Sequence, residues 1–127
     1  ELFTRGCFVF LALLHLVPAF VFFQPTLAGR LYDVAPDSIA GLLIVHRGAL
    51  FGVVCLMAVW AIFDPAVRLL ALCGITISIA SFVFVYWQQG LPAGALRAIA
   101  LADIAGLCVV ALIIGAQLKS RMAGSLL

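Results

Sequence analysis

The residues of this sequence that could do chemistry are few, and each interrupts a long apolar run: His15, His46, Arg47, Ser78, Ser81, Arg97 and Asp103. An imidazole takes or gives a proton near neutrality, or ligates a metal. A guanidinium with a carboxylate makes an ion pair or an anion clamp. The set falls short of a catalytic constellation. No nucleophile has a base at an activating spacing, so no catalytic residue is assigned and an enzyme is not expected. The four cysteines, Cys7, Cys55, Cys73 and Cys108, form no C-x-x-C pair and read as small apolar residues. Only Asp103 joins the two histidines as a further ligand, so no metal site is expected.

The elements that must position these groups follow from composition. Apolar residues make up 67% of the 127 positions and charged ones 9%, against a usual charged share of roughly 25%. Too few polar residues exist to cover a water-facing exterior, so the exterior is expected to face lipid. A net charge of +2 suggests no nucleic-acid partner. A membrane span takes about 20 predominantly apolar residues. The runs at about 4–23, 39–63, 66–87 and 93–118 meet this, which predicts one all-α domain, an integral membrane four-helix bundle. Pro36-Asp37-Ser38 and Asp64-Pro65 supply helix starts, and Gly90-Leu91-Pro92 breaks the chain before the last helix. The first residue is Glu1, so the chain is expected to be trimmed at its start; its first apolar run lacks an A-x-A-like cleavage site and reads as a retained helix.

Spacing puts the polar groups at similar depths. By the helical rise, His15 and His46 lie roughly 12 and 10 Å from the same membrane face, and Asp103 roughly 15 Å. Ser78 and Ser81 share a face of the third helix. The half of the bundle near the long loop at 24–38 is therefore polar, and the other half apolar. A charge facing lipid costs several kcal/mol, which predicts that Arg47 and Asp103 point inward and pair, with the histidines and serines completing a polar knot. Such a cluster fixes helix register, or binds a quinone or a lipid headgroup. Two histidines at matched depth would also suit a b-type haem, the least favoured alternative; no cofactor is required. Tyr32 and Asp33 belong to the long loop, whose apolar residues suggest a short helix or lid. Gly48 and Gly52 form a G-x-x-x-G packing face, matched by Ala102 and Gly106, and Pro18 is expected to kink the first helix.

Four crossings put both termini on one side. Arg5, Arg68, Lys119 and Arg121 gather there, whereas the opposite side has Arg30, balanced by Asp33 and Asp37, and Arg97 near the start of the fourth helix. The positive-inside rule makes that side cytoplasmic.

The stretches L-H-L-V-P (14–18), R-L-Y-D-V (30–34), V-H-R-G-A-L-F-G (45–52), S-I-A-S-F (78–82) and R-A-I-A-L-A-D-I-A-G-L (97–107) resemble the small four-helix DoxX-like bacterial membrane proteins. The chain more closely resembles an uncharacterised relative of these, sometimes labelled phosphopantetheine adenylyltransferase. That chemistry needs a nucleotide-binding α/β fold with phosphate-cradling motifs, which are absent here. The resemblance singles out His15, Tyr32, His46, Arg47, Ser81, Arg97 and Asp103. Where such relatives often have glycine after the loop tyrosine, this chain has Asp33. The resemblance implies a bacterial inner-membrane protein in a quinone-linked redox neighbourhood. The expectation is an accessory or partner-binding subunit of a larger respiratory or photosynthetic complex, with lipid and other membrane subunits as its partners.

Overall fold

The computed structural model describes residues 1–124, with side chains through Lys119. Arg121, one of the cations counted above, lies outside the described side chains. Among these residues all regular structure is helical: α1 (Leu2–Phe23), α2 (Leu27–Tyr32), α3 (Ile39–Phe63), a 3₁₀ turn (Pro65–Val67), α4 (Arg68–Gln88) and α5 (Ala95–Gly124). Four segments, Leu2–Phe23, Ile39–Phe63, Pro65–Gln88 and Ala95–Lys119, are long and apolar enough to cross a membrane. The chain is a multi-pass membrane protein of the all-α class. Its outside is apolar, as lipid requires: Leu56, Leu69 and Ile77 are each at least 70% exposed.

Local chemistry explains the helix ends. Ser38 caps α3, its Oγ accepting from the Gly41 N–H at 2.9 Å and donating to the Ala35 carbonyl at 2.6 Å. Gly41 is required there, because a Cβ would run into the backbone of Ala35 and Pro36. Asp64 Oδ1 accepts from the Ala66 N–H at 2.9 Å, and Pro65 opens the turn into α4. The expected lid over 24–38 is α2. It ends at Asp33, whose φ of 56° is left-handed and whose N–H bonds the Ala28 and Gly29 carbonyls. Glycine adopts that conformation without strain and aspartate tolerates it. The last helix starts at Ala95 rather than at 93, because Gly94 has a φ of 95°, outside helical space.

α1 and α3 pack antiparallel and most extensively. At Gly48 an added Cβ would lie 2.8 Å from the Phe22 amide nitrogen and 3.3 Å from the Pro18 carbonyl oxygen. Gly52, the other half of the G-x-x-x-G, has nothing within 4 Å, so Gly48 alone carries the close approach. The Cys55 thiol donates to the Ala12 carbonyl at 3.3 Å across the same interface. On α5, a Cβ at Gly106 would meet the side-chain tips of Leu14 and Ile79, so this face takes up α1 and α4 together. Phe8, Leu11, Ile75 and Ile113 are almost fully buried and form the core of the Asp64 half, with Ile79 buried at mid-depth.

That half is not purely apolar, contrary to the reading from sequence. Arg68, at the start of α4, is only 8% exposed. Its Nε donates to the Ala61 carbonyl at 3.0 Å and its Nη1 to Glu1 Oε2 at 3.1 Å, while Nη2 reaches Glu1 Oε1. A cation is disfavoured at a helix N-terminus; the Glu1 carboxylate offsets it and ties α1 to α4. Arg68, then Arg5, hold the Glu1 carboxyl down at about 2. Its unfolded value is about 4.5, so the clasp stabilises fully above that pH and fades as pH falls towards 2. The thermal midpoints of wild type and Glu1→Gln should therefore differ at neutral pH and converge near pH 2. A gap independent of pH would reject the clasp.

Candidate functional site

Beneath α2 the helices enclose a cavity of about 190 Å³. His15 and Pro18 come from α1, Tyr32 from α2, Phe51 from α3, and Ala102 and Asp103 from α5. His15 is only 3% exposed, and its Nδ1 lies 2.9 Å from the Leu11 carbonyl oxygen. A carbonyl only accepts, so Nδ1 carries the proton and Nε2 is left as an acceptor. Among the described residues Nε2 has no partner. Pro18 has no N–H, so the Leu14 carbonyl loses its helical donor at the level of the cavity. α1 nonetheless runs unbroken through Pro18. Asp103, half-buried, makes no hydrogen bond or ion pair among the described residues. Tyr32 closes the site from above. Burial pushes its phenol up, the Arg47 charge draws it down, and the Asp103 charge pushes it up. The cavity is thus apolar, with a surplus of acceptors.

Other polar residues lie elsewhere. Arg47, Ser78 and Ser81 line an open recess of about 270 Å³ between α3 and α4. The Arg47 guanidinium carbon lies 4.9 Å from the centroid of Phe51 and 5.3 Å from that of Phe82. Arg97 is exposed, beside Tyr86 and Leu91 in a separate recess near the α4–α5 linker. Tyr86 anchors that linker by donating to the Pro92 carbonyl at 2.8 Å. His46 is exposed, on a different face of α3 from Gly48, and Asp33 is exposed at the α2 cap. A larger groove of about 480 Å³ runs between α4 and α5 near the Asp64 end. It is wide, mostly apolar and remote from the polar groups, as an acyl-chain contact would be.

The single polar knot is therefore replaced by two sites. The expected Arg47–Asp103 ion pair is not formed. Among the described residues the ion pairs are those of Glu1 with Arg5 and Arg68. Phe51 stands between the two sites, lining both. It holds the guanidinium by cation–π attraction, with the His15 ring tilted against it at 5.9 Å. Nor do His15 and His46 converge as an axial pair, since one is buried and the other faces outward. Reasoning from sequence missed the role of Phe51 and, although it placed Arg68 at the terminal end, the burial of Arg68 and its pairing with Glu1. The i, i+4 spacing of Arg47 and Phe51 was the available signal for the first; an arginine four residues after the capping Asp64 was a weaker one for the second.

Comparison with protein-family models, curated proteins and solved structures finds no match for this chain.

Proposed function

We propose that this chain is a small membrane subunit that holds a ring-sized headgroup of the quinone–quinol class beneath α2. One observation carries the reading: a buried histidine, with its Nδ1 proton committed to Leu11 and no partner on Nε2 among the described residues, lines an apolar cavity together with a carboxyl group. At about 190 Å³ the cavity is smaller than the roughly 300–1,000 Å³ of sites for drug-sized ligands. It admits one ring, whose tail would run out between helices into lipid. A quinol has two O–H donors, which suit His15 Nε2 and the Asp103 carboxylate; the Tyr32 hydroxyl can donate to a quinone carbonyl. The resemblance to DoxX-like proteins favours the same class by analogy alone.

The test is a thermal-shift titration of the detergent-purified protein with a short-chain benzoquinol and its quinone. Stabilisation of about 2.7 kcal/mol is expected at a hundredfold excess over the dissociation constant. Asp103→Asn should weaken the quinol response more than the quinone response, because it replaces a charged acceptor oxygen with an amide donor. No shift with either form at saturating concentration would reject the reading.

A second reading, not exclusive of the first, makes the chain an accessory subunit of a larger complex. His46 and Ser81, exposed at membrane depth, support it, because polar groups in that region are generally covered by protein. Arg5, Arg68 and Lys119 at one end of the bundle favour cytoplasmic termini, and the DoxX-like resemblance favours a bacterial inner membrane by analogy.

A further inference from the structure

The α3–α4 recess holds a charge in an unusual place. Arg47 is eight residues into α3, roughly 12 Å below the α2 end by the helical rise. An arginine at such depth ordinarily snorkels to the nearer interface, and helical side chains lean towards the N-terminus, here that same interface. The Arg47 guanidinium is held within the span against two rings, over Phe51, the residue one turn further along α3, and beside Phe82 of α4. Ser78 and Ser81 line the same recess. Ser81 Oγ donates to the Ser78 carbonyl at 3.1 Å, which leaves its oxygen lone pairs free to accept. No carboxylate lies within 4 Å of Arg47 among the described residues; Asp103 lies in the cavity beyond Phe51.

We infer that this recess docks a transmembrane helix of a different protein, one that brings an aspartate or glutamate to the depth of Arg47. Charge complementarity selects the occupant. The guanidinium keeps its fork of donors while its face rests on the aromatic rings. A lipid phosphate stays at the interface, about a helical turn or two above the guanidinium. A second copy of this chain has no suitable acid: Glu1, Asp33, Asp37 and Asp64 lie at helix ends or in loops, and Asp103 lines the internal cavity. The inference rests on the accessory-subunit reading and names the chemistry of the partner.

The test places a photoreactive benzoyl-phenylalanine at Leu50, an exposed residue of the recess, in the full chain in its native membrane. Irradiation should give one protein adduct, whose cross-linked peptide is a membrane helix with a carboxylate within one turn. Arg47→Gln should reduce the yield about tenfold and Arg47→Lys should largely retain it. Arg47→Gln removes no hydrogen bond within the described residues, and an unchanged melting temperature would show that folding is preserved. A helix without an acid, a lipid-only adduct or a self-adduct would each overturn the inference. The first of these leaves the accessory-subunit reading intact. No protein adduct from Leu50 or from the exposed His46 would overturn both.

As a second measurement, vesicles would carry the chain and a labelled polyleucine helix bearing one Glu at matching depth. Energy transfer should exceed that of the Gln peptide about tenfold, and the preference should disappear in Arg47→Gln. Equal transfer for the Glu and Gln peptides would overturn the inference.

Discussion

A Gly48→Leu substitution should destabilise the bundle by about 3 kcal/mol, the upper end of what overpacking a close interface usually costs, while Gly52→Leu should change stability by less than about 0.5 kcal/mol, as surface substitutions do. The two glycines are equivalent in the sequence motif. They differ in what a side chain would meet. At position 48 the first added carbon already lies 2.8 Å from the backbone nitrogen of Phe22, and backbone cannot rotate out of the way. Relief requires α1 and α3 to separate, which also opens the Cys55–Ala12 contact and shifts the wall that carries His15 and Pro18. At position 52 there is open space. Reversible unfolding in mixed detergent and dodecyl sulfate, followed by far-ultraviolet circular dichroism, measures both. Equal losses at the two positions would mean that the α1–α3 interface is not centred on Gly48.

His15→Leu should weaken quinol binding roughly tenfold to a hundredfold, which is the cost of about 1.4–2.8 kcal/mol for leaving one buried partner unmatched. The ligand-free protein should lose little stability. Leucine is of similar size and suits an apolar wall, and the Leu11 carbonyl bonded by His15 already belongs to a helix. The control lies in the ligand. A quinol methylated on both oxygens cannot donate, so it should bind wild type weakly and be nearly indifferent to His15→Leu. If the substitution weakens the ether as much as the free quinol, the histidine acts through packing and the hydrogen-bond assignment fails.

Much of the fold was legible because the membrane makes sequence unusually informative. Every backbone group in a span must be satisfied within its own helix, so long apolar runs admit one conformation. Ser38, Asp64 and Pro65 mark helix ends by short-range chemistry, which needs only neighbours in the chain. Depth was legible for the same reason, since the helical rise converts a residue count to a distance. The start of α5 was misplaced by two residues because nothing local announced the left-handed turn at Gly94.

Direction around the helix axis was not legible. The sequence establishes that His15, His46, Arg47, Ser78, Ser81 and Asp103 lie at related depths. It does not establish which of them face one another, because these helices are apolar all round and no stripe marks an inner face. Electrostatics alone favoured an Arg47–Asp103 pair. Tertiary packing decided otherwise, through the rotation of α3 that Gly48 sets against Phe22 and through the aromatic ring of Phe51 between the two charges. By itself the sequence determined a four-helix membrane bundle with its polar groups in one half. Only the tertiary structure divided those groups into an internal cavity with His15 and Asp103 and a lateral recess with Arg47, because azimuth in an apolar helix is fixed by contact.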